Sequence, residues 1–138
     1  MNKREYLNQA YRLDQRINSK LEQLAQLKAL ATKVTTGMSD MPGSPTRNVK
    51  KNEDIVLKII DLENEINDRI DELVDLKKDI VHRINEVNNP EYKLILELRY
   101  LCFRSWEEIA VEMDYGIDNV FRVHRKALAS VQIPESLQ

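Results

Sequence analysis

The chain has one cysteine, three glycines, two histidines and one tryptophan among 138 residues. A single cysteine, Cys102, rules out an internal disulfide and a cysteine-based zinc site, and it is expected to pack in the core. His82 and His124 lie far apart in sequence, and neither belongs to a ligand-spaced cluster. No glycine-rich phosphate loop is present. These gaps remove the residue sets that metal, nucleophilic and nucleotide chemistry need, so no enzyme, no cofactor and no metal site is expected. No run of about 18 apolar residues occurs, so no membrane span is expected. The opening "MNKREYLNQAYRLDQR" has no apolar signal region, and a cytoplasmic protein is expected.

What the chain does have is charge and helix formers. Charged residues make up 32% and aromatics only 6%, with a net charge of −2. Leu, Ile, Glu, Lys, Asp and Arg dominate, a mix that favours long amphipathic helices. Apolar positions run Tyr6, Ala10, Leu13, Ile17, Leu21, Leu24, Leu27, Ala31, Val34 in steps of three or four. A second train runs Ile55, Ile59, Leu62, Ile66, Ile70, Leu73, Leu76 or Lys77, Ile80, Ile84, Val87. Each marks one narrow face of a helix, as in a coiled-coil seam. Between them, "TTGMSDMPGSPTRNVKKN" (35–52) holds two of the three glycines and two of the four prolines, a helix-breaking composition. The expectation is a long antiparallel helical hairpin over residues 1–88, with helices at about 3–34 and 53–88 and a loop at 35–52.

Charge supports that pairing. Residues 1–34 carry seven basic and three acidic side chains, and residues 53–89 carry five basic and eleven acidic. Oppositely charged helices attract along their flanks, whereas two copies of either would repel. The seam is satisfied either within the chain or by building a four-helix homodimer, and sequence leaves both open. The loop is longer than the usual helix–helix connection. Its Arg47, Lys50 and Lys51 are either phosphate contacts or part of a disordered tip.

The remaining residues, 89–138, read as a compact three-helix domain. Asn89 caps a helix with Pro90 at its first position. In "EYKLILELRYL" the spacing puts Leu94, Ile95, Leu98 and Leu101 inward, with Tyr100 at the margin. Ser105 and Glu108 form a capping box that starts "WEEIAVEMD", with Trp106, Ile109, Ala110 and Met113 inward. "YGI" is a turn, with Gly116 supplying left-handed backbone. Asp118 caps the next helix, whose inner side carries Val120, Val123, Ala127 and Leu128. Ala110 falls where the two helices cross, and Ile117 completes a small shared core. This is the spacing of a helix-turn-helix.

Residues 94–128, "LILELRYLCFRSWEEIAVEMDYGIDNVFRVHRKAL", resemble region 4 of bacterial sigma-70-type factors. The resemblance rests on Leu98-Arg99-Tyr100, Ser105, Glu108-Ile109-Ala110 and Val120 through Ala127-Leu128. The whole chain is similar to a family of small phage and prophage proteins of Gram-positive bacteria, catalogued as a domain of unknown function. That family is grouped with phage transcription regulators that carry sigma region-4-like domains. The resemblance implies an all-α, DNA-binding transcription regulator, with RNA polymerase or another phage protein as further partners. The promoter-melting and clamp-binding regions of a complete sigma factor have no counterpart here; the hairpin occupies their place.

A recognition helix enters the major groove by its N-terminal part. Its outward positions here are Asp118, Asn119, Phe121, Arg122, Arg125 and Lys126. Arg122 and Arg125 are the candidates for base or phosphate contact, because a guanidinium matches guanine O6 and N7. Asn119 suits adenine or phosphate. Phe121 either meets a thymine methyl or packs on a neighbouring helix. Lys126 and Arg104 are candidate phosphate contacts, and His124 is read as a packed or surface side chain. Residues 116–130 carry three basic side chains against one acidic, a thin basic surface that calls for a dimer or a tethering partner. The competing class is a non-catalytic adaptor acting through the hairpin: a DNA-packaging redirector, an antirepressor or a polymerase-binding factor. A DNA reader needs Arg122 and Arg125; an adaptor tolerates their loss.

Overall fold

The computed structural model describes residues 1–38 and 45–134, the side chains of 35–38 and 45–48 excepted. Among these residues every regular element is helical: α1 Lys3–Met38, α2 Pro45–Asn85, α3 Pro90–Tyr100, α4 Trp106–Met113 and α5 Ile117–Ser130. No helix among them is long and apolar enough to cross a membrane. Both long helices reach into the stretch expected to be loop. α1 stays helical through Met38, and α2 begins at Pro45, where a proline's fixed φ and missing N–H suit a first turn. Lys50 and Lys51 therefore sit on α2 rather than in a loop. Residues 39–44, in the middle of that expected loop, and the side chain of Arg47 lie outside the described residues.

The chain divides into two compact units, one formed by Gln15–Glu72 and the other by Met1–Asp14 with Leu73–Gln138. The start of α1 and the end of α2 belong with α3, α4 and α5.

In the 15–72 unit, Ile17, Leu24 and Ile66 are buried. Ion pairs join α1 to α2 at Lys20–Glu65, 2.7 Å, and Lys28–Glu63, 3.8 Å. The Lys20 ammonium holds the Glu65 carboxyl below its ordinary pKa by a hydrogen bond. Pairs this exposed contribute little each. Leu21 and Ile70, both expected on the seam, are 43% and 39% exposed.

The second unit has one core. Tyr6, Leu7 and Ala10 of α1 and Ile80, Ile84 and Val87 from the end of α2 share it with Ile95, Leu96, Tyr100, Ile109, Val120, Val123, Ala127, Val131 and Ile133. Asn89 caps α3, its side-chain oxygen accepting from the N–H groups of Glu91 and Tyr92 at 2.9 and 3.3 Å. The buried face of α3 differs from the expected one. Ile95, Leu96 and Tyr100 are buried, Leu98 and Leu101 are half-buried, and Leu94 is 43% exposed. Apolar residues at 94, 95, 96 and 98 leave the face undetermined by spacing. A buried polar partner for the Tyr100 hydroxyl, His124, selects it.

Cys102 is exposed rather than packed in the core. It lies just beyond α3, where its N–H still bonds to the Glu97 carbonyl at 3.0 Å while the chain turns outward. Phe103 follows with φ 58°, a left-handed conformation that is uncommon for an aromatic residue. Its ring meets Tyr11 edge-on at 5.5 Å and lies under the Lys77 ammonium at 4.7 Å.

Leu7 is fully buried, so Leu7→Ala is expected to cost about 2–5 kcal/mol. Urea unfolding should show it, together with lost amide protection in α5. Leu94→Ala should shift stability by less than about 1 kcal/mol. Equal costs at the two sites would contradict the buried face described for this unit.

Candidate nucleic-acid interface

α4 and α5 are joined by the three residues Asp114, Tyr115 and Gly116. Ser105 opens α4, its hydroxyl accepting the Glu108 N–H at 3.2 Å. At the other end the roles expected of two residues are exchanged. Asp114, not Gly116, takes the left-handed conformation (φ 57°, ψ 45°), and its N–H turns back to the carbonyls of Ala110 and Val111. Aspartate tolerates this region better than most side chains. Gly116 is extended (φ −69°, ψ 154°) and is the N-cap of α5, without a side-chain cap hydrogen bond. Asp118, expected as the cap, lies inside the first turn, where its charge suits the positive end of the helix dipole. The Tyr115 hydroxyl donates to the Glu91 carboxylate, tying the turn to the start of α3. That bond raises the Tyr115 pKa.

α5 has two distinct sides. Val120, Val123, His124 and Ala127 are buried. Asp118, Phe121, Arg122, Arg125 and Lys126 are exposed, and Asn119 is half-buried. Ile117, expected in the shared core, is 39% exposed; three residues before Val120, it sits about 60° off the buried line. Arg122 donates through Nε to the Asn119 side-chain oxygen at 3.1 Å, and a second guanidinium nitrogen reaches the same oxygen. Arg104 lies apart from this array. Its guanidinium faces Glu108 and Glu112 at 3.8 and 3.7 Å. With Glu107 and Val111 these residues line a shallow depression of about 420 Å³ on α4. Three carboxylates make that face of α4 unsuited to phosphate.

Beside α5 stands an aromatic stack that local spacing does not reveal. Trp106 meets His124 at 4.6 Å and Phe121 at 5.4 Å, both edge-on. The Arg99 guanidinium lies 4.2 Å above the Trp106 ring. Phe121 thus packs on a neighbour and is also 37% exposed. Beneath them the Tyr100 hydroxyl and His124 Nε2 are 2.6 Å apart. Burial pushes the Tyr100 phenol up to about 12, so it keeps its proton. Burial, then the charges of Arg4, Arg99 and Arg125, pushes His124 down to about 4, so its ring is neutral. Arg4 and Arg99 entered no sequence-level site; their approach to His124 depends on the fold.

Among the described residues no group of three His, Cys, Asp or Glu side chains is placed to hold a metal ion. Residues 37–132 match the model of a family described as "Protein of unknown function (DUF1492)". The chain belongs to that family. No curated protein and no solved structure matches it. The matched span of this DUF1492 member takes in α2 to α5 and begins just before the end of α1. It leaves out Tyr6, Leu7 and Ala10, which pack in the core under α5.

Two predictions arise from this geometry. Gly116 is extended, and a Cβ added there meets nothing within 4 Å. Gly116→Ser should therefore stabilise the protein by about 0.5–1 kcal/mol, through a cap hydroxyl and a stiffer unfolded chain. Asp114→Val should destabilise by about 1–2 kcal/mol; thermal melts of both variants decide. His124 has the second. With its folded pKa near 4, below the unfolded 6.5, its contribution is complete above about pH 6.5 and is lost as pH falls toward 4. The loss should reach a few kcal/mol. Denaturation at stepped pH should show that slope in wild type and a flatter one in His124→Gln.

Proposed function

We propose that the protein binds double-stranded DNA through α4 and α5 acting as a sigma region-4-like helix-turn-helix, as a transcription regulator of a phage or other mobile element. The observation that carries this reading is the two-sided α5. Its inner side is held by the core, and its outer side presents Asn119, Arg122, Arg125 and Lys126. Guanidinium groups on a rigid helix suit guanine edges and phosphates. The three-residue turn, pinned to α3 through Tyr115 and Glu91, is of helix-turn-helix length. The acidic depression on α4 turns phosphate away from Arg104, so Arg104 ranks below the α5 residues. No catalytic step is assigned to any residue, and the site of action is the cytoplasm, where the DNA lies.

One such module is small, and binding at cell salt calls for a second reading head or a tether. The paired α1–α2 segment, read as a helical hairpin, supplies the means. In its 15–72 unit, Leu21, Leu30, Val56, Leu57, Ile60 and Ile70 are exposed. This apolar surface favours a helical partner: a second copy, RNA polymerase or another phage protein. It also supports the second reading, an adaptor that acts through this segment alone.

Selection of bound fragments from a phage or host genome at about 150 mM salt separates the two. Wild type should enrich one sequence, and Arg122→Ala/Arg125→Ala, shown to be folded, should lose that enrichment. Enrichment by neither protein would sink autonomous sequence-specific binding and leave the adaptor.

A further inference from the structure

Within the Gln15–Glu72 unit, α2 carries two apolar lines. The first is the seam, with Ile66 buried and Ile55, Ile59 and Leu62 half-buried. The second is exposed and consists of Val49, Val56, Ile60 and Ile70. Val56 and Ile60 each come one residue after a seam residue, Ile55 or Ile59, and one residue turns a helix by about 100°. Val49 and Ile70 stand seven residues before and fourteen after Val56, which are whole heptads. Glu53, Glu63 and Asn67 hold the remaining places on this line. Spacing separates it from the other exposed apolar side chains of the unit. Leu57 lies about 100° further round, on the side away from the seam, and Leu21 and Leu30 are on α1. Val74 and Val81 are exposed as well but belong to the other unit. Two apolar lines about a quarter-turn apart suit a helix with two helical neighbours, as in a four-helix bundle.

The charge along α2 bears on what covers the second line. The line runs from residue 49 to residue 70, so its midpoint falls between 59 and 60. In 49–59, Lys50, Lys51 and Lys58 stand against Glu53 and Asp54; in 60–70, Arg69 stands against Asp61, Glu63, Glu65 and Asp68. The sign of the charge therefore changes at the middle of the apolar line. Two copies of this segment set parallel would put like charge on like. Set antiparallel, they lay the basic half of each along the acidic half of the other, with the two apolar lines in register. Glu63 and Glu65 already meet lysines of α1. Lys50 and Lys51 come level with Asp68 of the second copy, and all three side chains are exposed. A foreign helix would need the same reversal of sign at the same place to match as well.

We propose that the helical partner of this segment is a second copy of the chain, docked antiparallel through Val49, Val56, Ile60 and Ile70 of α2. This deepens the DNA-binding reading, for which it names the source of a second reading head, and it is tested without DNA so that the two can fail separately. The line is about 33 Å long and interrupted by three polar residues. The interface is therefore small, and the dimer dissociates on dilution.

Sedimentation equilibrium of the full chain over a concentration series reads the monomer–dimer constant, with thermal melts of every variant. Wild type should dimerise. Ile60→Lys should weaken the dimer by about tenfold or more and still fold, because Ile60 is exposed within the chain. Val111→Lys, at an exposed apolar side chain on α4, should leave the dimer unchanged. A dimer that Ile60→Lys leaves intact, or that Val111→Lys weakens as much, overturns the proposal. Disulfide capture reads the orientation, in a Cys102→Ser background that removes the exposed native thiol. Ile60→Cys, next to the two-fold axis, should cross-link two copies under mild oxidation. Val49→Cys alone should not, whereas Val49→Cys combined with Ile70→Cys should. Cross-linking by Val49→Cys alone would mean a parallel pair and overturns the antiparallel docking. A wild type that stays monomeric at every concentration overturns the dimer and leaves the DNA-binding reading standing, and failure of the DNA selection leaves a measured dimer standing.

Discussion

The burial of Tyr6, Leu7 and Ala10 beside Ile95, Tyr100, Val120 and Val123 is the constraint on which the rest of this unit depends. α3, α4 and α5 are short, with 11, 8 and 14 residues. Three helices of that length bury little apolar surface by themselves, and small domains are marginal for that reason. The first turns of α1 and the last turns of α2 enlarge the core. They also hold α5 by its inner side, so the outward positions of α5 inherit a fixed orientation. A recognition surface needs that rigidity, because a side chain reads a base edge only from a settled backbone.

The same core controls charge. Tyr100 and His124 are a polar pair in an apolar site, and each satisfies the other. A protonated His124 would be a buried cation among three arginines, which is the arrangement that burial and Coulomb repulsion both oppose. Neutral, it hydrogen-bonds Tyr100 and forms one wall of the aromatic stack that seats Trp106, Phe121 and Arg99. Packing therefore decides where the positive charge is displayed: around the pair, on the surface, and not within it.

Much of the fold was legible because its signals are local. Asn89 and Ser105 as caps, Pro90 at a first turn and the inner line of Val120, Val123 and Ala127 need only a few neighbouring residues to recognise. The failures have physical causes of two kinds. Where apolar residues crowd, as from Leu94 to Leu98, periodicity has no contrast and tertiary contacts choose the face. Where two residues can serve one role, composition misleads. Gly116 looked like the left-handed residue, yet Asp114 takes that conformation and Gly116 opens the helix. The loop was overestimated for a similar reason. Pro45 reads as a breaker, but at the first turn it begins a helix. In the candidate site, the outward residues of α5 followed from helical geometry, whereas Arg4, Arg99 and the 24-residue link from Tyr100 to His124 arise only on folding.

A chain with a net charge of −2 is a poor electrostatic match for DNA only if its charge is spread evenly. Here it is segregated. The acidic excess lies along α2, from Glu53 to Asp79, and on α4, where it partly pairs with Arg104. On α5 the exposed basic side chains Arg122, Arg125 and Lys126 stand against one acidic side chain, Asp118. Screening in cell salt has a reach of roughly 8 Å, so under the proposed function a phosphate touching α5 feels the arginines it touches far more than any charge beyond that reach.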